Sequence, residues 1–393
     1  MNKQQNFLQR YWRLILLATG IAVLAYFLLF RQLGGLTHAY SSPELASQAQ
    51  ASSLRTIVTN PVNAPYSLLV WTGLRLGHHS LLITRIAAAV VAIGMAVLFY
   101  WVALHWYSKR VALVSSVLFV SSSSFLHIGR YGTALILQMA TLVLIATVLL
   151  HRRAQNETLT AYIIVAILAL CLYVPGIFWF ELLGLVLLHR HIWRLFRRLG
   201  RLHSTLIVLL GLGLVAPIVL AGSQHLSVFQ QVLALPEHLP TIRTVWQHAR
   251  QLGEAIVYRG YYSPDFWLFG APLLNIAEIV LFLTGIFVVA RPPHLRGNYY
   301  LAGAVLLSVI LNLLGGNATI VMLIPLIYLV VAAGIYYLLD QWMTIFPRNP
   351  IAQALGVGLI CIVASFSVYY HIQAYYIAWP QAPETKQVYT IKS

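Results

Sequence analysis

The chain has 393 residues, of which 60% are apolar and only 9% charged, a composition that excludes a soluble domain of this size. Its net charge of +16 is dispersed among short gaps between apolar segments and not gathered on one soluble face, which excludes nucleic acid as the partner and suits an anionic membrane leaflet. Cys171 and Cys361 both fall inside apolar segments, so no disulfide framework is expected.

About eleven long apolar stretches run between Trp12 and Tyr370, several exceeding the roughly 20 residues that cross a ~30 Å hydrocarbon core. The first, residues 12–30, is too long for the apolar part of a signal peptide and reads as an uncleaved span. A first long loop, residues 31–64, follows. In it Ser42-Pro43-Glu44 opens a helix, with Ser42 as the cap, Pro43 at the first helical position and an acid in the first turn facing the positive helix end. Residues 45–58 continue that helix as one amphipathic piece, too polar to span, and Asn60-Pro61 and Ala64-Pro65 break it. Residues 65–76 are moderately apolar, and residues 81–106 make a full span.

Residues 111–128 and 133–150 read as a tight pair of spans joined by Gly129-Arg130-Tyr131-Gly132. A second pair, residues 161–173 and 178–188, turns at Val174-Pro175-Gly176. Residues 206–220 lead to a second long loop, residues 223–267. There the segment 241–258 sets Ile242, Val245, Trp246, Leu252 and Ile256 near one face, the pattern of an interfacial helix. Four further stretches, 273–289, 299–314, 320–339 and 351–370, complete a single integral membrane domain over residues 1–393, and residues 371–393 form a tail.

Orientation follows from the basic residues. Lys3, Arg10 and Arg13, then Lys109 and Arg110, Arg152 and Arg153, the block Arg190 to Arg201, Arg291 and Arg296, and Arg348 all fall on one side by simple alternation. Positive charge in short loops stays cytoplasmic. The expectation is a multi-pass protein of the cell membrane with its N-terminus inside and both long loops and the C-terminus outside.

The order of features is more specific than any one of them. A first span, an external helix opening with an acid, the re-entry Asn60-Pro-Val-Asn-Ala-Pro-Tyr66, Gly73-Leu-Arg-Leu-Gly77, Thr84-Arg85 and Gly129-Arg130-Tyr131 succeed one another. Residues 315–340 with Pro325, and Tyr375-Tyr-Ile-Ala-Trp-Pro380, close the series. The chain resembles the membrane glycosyltransferases of the C fold, specifically glycosyltransferase family 39, the protein mannosyltransferase and aminoarabinose transferase group. The resemblance implies an all-α bundle with external juxtamembrane helices. It also implies transfer of a sugar from a polyprenyl-phosphate carrier to a lipid, glycan or protein acceptor on the external face. Such chemistry needs a base beside the acceptor and cations beside the leaving phosphate. Two departures stand out: the first loop lacks the group's usual Asp and has only Glu44, and no acid follows Arg130 closely.

Glu44 is therefore the expected base, with a purely dipole-complementing role as its alternative. Arg130, with Tyr131 beside it, and Arg85 are the expected phosphate and substrate ligands, against interfacial anchoring or pairing with an internal carboxylate. Glu181 and Glu278 lie within apolar segments; Glu181 is expected to line the substrate cavity, and Glu278 to pair with a base in the bundle. Some members of the group bind a divalent ion, yet the sequence itself calls for no cofactor. His38, His78, His79 and His127 have no metal-site spacing and read as surface and interface histidines. The rival to transfer is a lipid-linked sugar flippase or a carrier-binding relative without activity, and the missing Asp is its main support.

Overall fold

The computed structural model describes residues 20, 23–77, 80–153, 155–261, 263–290 and 297–391. The leader cations, most of the first span, His78, His79, Arg291 and Arg296 lie outside the described residues. The regular structure among the described residues is all helical, apart from an isolated antiparallel bridge between Tyr40 and Ile391. That follows from the solvent, because a backbone crossing hydrocarbon must satisfy its own hydrogen bonds. Among the described residues five helices are long and apolar enough to cross a membrane, or six if one bent pair counts as a span, so the chain is a multi-pass membrane protein. The expected eleven drew also on shorter stretches. Three of these form apolar helices of 10–17 residues: Glu157–Cys171, Ile276–Ala290 and Tyr299–Leu314.

The first loop folds into α1 (Ser42–Gln50), α2 (Leu54–Thr59) and α3 (Ala64–Arg75). The single helix expected over residues 45–58 is divided because Ser53 leaves helical geometry and its hydroxyl accepts from the Thr56 N–H at 3.2 Å, the usual competition of serine with the helix backbone. Next comes α4 (Leu82–Trp106), whose small residues Ala88, Ala89 and Ala92 are fully buried.

The stretch expected as one span over residues 111–128 is bent by 59° into α5 (Lys109–Ser121) and α6 (Ser123–Arg130). The run Ser121-Ser-Ser-Ser124 explains the bend. Ser122 takes extended geometry (φ −60°, ψ 139°), donates its hydroxyl to Phe119 O at 2.7 Å and accepts from Phe125 N–H at 3.2 Å. The backbone is thereby satisfied without a straight helix. Every residue of α6 is buried, and its C-terminal end delivers His127 and Arg130 to the interior. A 3₁₀ turn (Ala134–Ala140) leads into α7 (Thr141–Arg153), and α8 (Glu157–Cys171) follows.

The basic gap at Arg190 to Arg201 is not a loop. One helical run, α9 (Ile177–Gln224), continues through it and reverses at Gly200, where φ is 77° and ψ 166°, a region essentially reserved for glycine. Three bonds trace the return: Arg198 to Glu157, Tyr162 to His203 and Tyr173 to Leu214 O. Each joins residues 41 apart, so the second half of α9 lies parallel to α8.

Then come α10 (Leu226–Val232), α11 (Ile242–Val257), α12 (Ile276–Ala290) and α13 (Gly297–Leu314). A 3₁₀ turn (Ile320–Met322) starts α14 (Ile324–Ile345), and Pro325 sits in its first turn, where a missing N–H costs nothing. This run is the centre of the bundle: 89% of its apolar window is buried, against 22% for α9 and for the last span. Helix α12 presses on it closely; a Cβ on Gly285 would meet Val330 O, and one on Gly334 would meet Leu281 O. Small residues at such crossings let van der Waals packing hold helices together in lipid. Finally α15 (Pro350–Gln373), a π-turn (Ala374–Ala378) and α16 (Trp379–Gln381) form one continuous run. The expected tail from residue 371 is thus helical through Gln381, and only α17 (Pro383–Val388) and the bridge to Tyr40 follow.

Candidate functional site

Four of the five expected site residues come together, and they do so through long-range bonds. Glu44, at the start of α1, is fully buried. Arg85, one turn into α4, grips it with both edges of its fork: Nε to Oε1 at 2.7 Å and Nη2 to Oε2 at 3.0 Å. The carboxylate also accepts from the Ser41 N–H at 2.9 Å and the Gly132 N–H at 3.1 Å. Gly132 is needed for that approach, since a Cβ there would meet Thr84 Oγ1 and Glu44 Oε1. Arg85 in turn donates to Leu33 O and Ala39 O, each at 2.9 Å, and its guanidinium lies 4.3 Å from the Tyr40 ring centroid. The pair is a neutral, fully bonded knot that ties the first loop to α4 and to the turn after α6.

That geometry gives Glu44 a different place from the one expected. With the Ser41 hydroxyl added at 3.4 Å, its two oxygens already receive five hydrogen bonds, and no face of the carboxylate is open to an acceptor hydroxyl. Arg85 matches the pairing alternative, with its positive charge balanced by Glu44.

Arg130 is the opposite case. It is buried at 4% exposure and has no acidic partner among the described residues. Its Nη1 donates to Leu28 O at 2.9 Å and to the Tyr376 hydroxyl at 2.8 Å, its Nη2 donates to Arg31 O at 2.7 Å, and its Nε is buried without a partner. The rings of Tyr375 and Tyr376 lie 5.3 and 5.2 Å from the guanidinium. A buried cation costs several kcal/mol unless something offsets it, and aromatic faces supply only part.

Arg85, Arg130, His127, Tyr131, Tyr375 and Tyr389 line a cleft that encloses ≈ 250 Å³ counted out to open solvent. His127 is no surface histidine: it is 3% exposed, wedged between the edges of Tyr375 and Trp379 with ring centroids 4.7 Å away, and neither ring nitrogen has a partner. An unpaired imidazole beside an unbalanced guanidinium is the chemistry of an anion site. Among the described residues no three His, Cys, Asp or Glu side chains converge in a way that could hold a metal ion.

Tyr131 connects this cleft to a residue that the sequence did not mark. Its hydroxyl lies 3.4 Å from Ser41 Oγ and is near the side chain of Asp265, in the second long loop. Burial, with Glu44 nearby, raises the Asp265 pKa above its ordinary value, although the neighbouring Tyr131 hydroxyl opposes the shift. Burial also raises the Tyr131 and Tyr389 hydroxyls, so both stay protonated donors.

Glu181 is not brought to this cleft; it faces Cys171 at the junction of α8 and α9, with Oε1 buried and unpartnered. Glu278 is sealed in the core. It bonds His371 Nε2 at 2.9 Å, and Ser123 Oγ meets His371 Nδ1 at 3.1 Å.

Taken with its helix order, this arrangement has the C fold seen in membrane glycosyltransferases. Two solved structures share that fold with the chain: ArnT from Cupriavidus metallidurans in the apo state and the same protein bound to undecaprenyl phosphate. The first is 14% identical with a TM-score of 0.59 and covers 95% of this chain and 78% of its own. The second is 15% identical with a TM-score of 0.56, covering 94% and 77%. No protein-family profile and no curated protein sequence matches the chain.

Proposed function

We propose that this chain transfers a sugar from a polyprenyl-phosphate carrier to a hydroxyl-bearing acceptor at the outward face of the membrane. The observation that carries this is Arg130, a buried cation with a bare Nε and no counter-ion, lining a cleft beside the unpaired His127. A lipid phosphate fits that vacancy of charge. The shared fold supports the choice of carrier, since one neighbour is an ArnT bound to undecaprenyl phosphate.

In the reaction the acceptor oxygen attacks the anomeric carbon, the bond from that carbon to the phosphate oxygen breaks, and the carrier phosphate leaves with the electron pair. Arg130 and His127 bind the leaving phosphate and stabilise the charge it gains. Arg85, held by Glu44, sets the wall of the cleft, and Tyr131 orients the reacting groups. Glu181 stands outside this scheme. The outward placement rests on the basic gaps, by the positive-inside rule.

Transport draws no support from the intramembrane acids: Glu278 is sealed against His371, and Glu181 does not line the cleft. The deciding experiment is transfer from a labelled polyprenyl-phosphate sugar by the purified protein in nanodiscs. Release of free carrier phosphate with matching appearance of glycosylated product supports the proposal. Carrier that crosses the bilayer without cleavage overturns it in favour of a flippase.

A further inference from the structure

A second cavity, ≈ 670 Å³ counted out to open solvent, adjoins the cationic cleft. Residues 264–266 stand between the two. On the cleft side, Pro264 O accepts from Trp379 Nε1 at 3.0 Å and Asp265 O accepts from the Tyr389 hydroxyl at 2.5 Å. The Phe266 ring lies 5.8 Å from the Tyr131 ring and lines the second cavity. Asp265 is therefore fastened at the partition through its backbone, partly exposed, with Tyr131 as a neighbour of its carboxylate.

The cavity's chemistry is uncharged. Gln251, Asn312, Thr319 and His248 supply amides, a hydroxyl and an imidazole, while Tyr261 and Phe266 supply aromatic faces. Asn312 donates its amide hydrogens to Ser308 O at 2.8 Å and Thr319 O at 3.3 Å, leaving its oxygen for an incoming hydroxyl. Among the described residues no Lys, Arg, Asp or Glu lines the space. A phosphorylated or carboxylated acceptor would find no cation there, whereas a neutral sugar ring meets polar groups and a stacking surface.

We infer that this cavity binds a neutral saccharide acceptor and that Asp265 receives the proton of its attacking hydroxyl. The inference rests on the transferase reading above. As the acceptor oxygen bonds to the anomeric carbon, its proton passes to Asp265, and the carrier phosphate leaves into the Arg130 cleft as a free lipid phosphate. Asp265 has what Glu44 lacks: partial exposure and no ion pair. The groups facing it are Tyr131 from the turn after α6, Tyr389 from the end of α17, and Glu44 from α1 beyond Ser41. Burial shifts the carboxylate toward the pH at which it works, which makes it the stronger base.

The test uses the full chain in nanodiscs with labelled hexosyl or pentosyl undecaprenyl phosphate, following slow hydrolysis to water and transfer to neutral methyl glycosides or to glycoside phosphates. Asp265→Asn should lower both hydrolysis and transfer by roughly 10²–10⁴, with undecaprenyl phosphate binding unchanged. Asp265→Glu should recover part of the rate and displace the acidic limb of the pH profile, a response that a structural role would not produce. Asn312→Leu should raise the KM of the methyl glycoside and leave hydrolysis alone. Full turnover in Asp265→Asn would overturn the base assignment. Preference for the glycoside phosphates, or no product with any neutral glycoside, would overturn the cavity assignment. Absence of both binding and cleavage of the carrier in the unmodified protein would instead overturn the transferase reading itself.

Discussion

Glu44→Gln separates two jobs that the same residue could do. In the structure the carboxylate receives five hydrogen bonds: two from Arg85, two from Ser41 through its N–H and hydroxyl, and one from Gly132. Glutamine keeps one acceptor oxygen, so one side of the site must now present N–H against N–H. Arg85 also loses its counter-ion while only 5% of its side chain is exposed. Breaking a buried pair from one side costs about 3–5 kcal/mol, so Glu44→Gln should unfold in detergent at clearly lower temperature or denaturant than the unmodified protein. Arg85→Met alone should be at least as damaging, because Leu33 O and Ala39 O lose their donor as well. The double variant Glu44→Gln/Arg85→Met removes both charges together and should lose less than the sum of the single losses. Unfolding midpoints of the four proteins give the coupling directly. If Glu44→Gln keeps normal stability while transfer falls by roughly 10²–10⁴, the knot is not structural and Glu44 is the base after all.

Arg130→Ala should abolish most binding of undecaprenyl phosphate in a folded protein, and Arg130→Lys should restore only part, because the Nε that now lacks a partner belongs to the planar fork; unchanged affinity would remove Arg130 from the site. Gly200→Ala should destabilise the protein by about 1–3 kcal/mol through backbone strain alone, since a Cβ there meets nothing within 4 Å. Gly213→Ala, equally uncrowded but within the helix, is the control that should stay near neutral. A reporter inserted at Arg201 should read as cytoplasmic and one at Glu237 as external; the reverse would place the cleft on the wrong side of the membrane.

Much of the frame was legible because lipid imposes simple demands. Long apolar runs declared the spans, and the Ser42-Pro43-Glu44 signature located the start of α1. The breaks were harder to read. Serine is tolerated in helices, so Ser121 to Ser124 resembles any polar patch until the Ser122 hydroxyl is seen bonding its own backbone. Gly200 lies hidden in a basic run whose charges suggest a loop, while its φ makes a tight reversal. Partners were least legible of all. Glu44 meets Arg85 across 41 positions, and Arg130 meets Tyr376 across 246. Asp265 lies in an irregular segment with no local motif. Elimination offered the one available signal, because the chain has only two aspartates and alternation sends Asp340 to the cytoplasmic side.

The bend at Ser122 connects the buried polar core to the cationic cleft. Straight continuation of α5 would leave α6 aligned with the span; the 59° turn instead carries its last residues inward, so that Arg130 ends among Leu28 O, Arg31 O and Tyr376. The freed Ser123 hydroxyl meets His371, which bonds Glu278, and Tyr328 from the central helix lies 3.4 Å from both oxygens of that acid. Each member of this buried chain has a partner, which is the condition under which polar groups in lipid rigidify a fold and do not weaken it. The network holds the break from behind, and the cleft lies in front of it. In one case every member of the network is answered from within the chain; in the other, the Nε of Arg130 and both ring nitrogens of His127 have no partner. That contrast favours the cleft over the intramembrane acids as the site proposed above for the carrier phosphate.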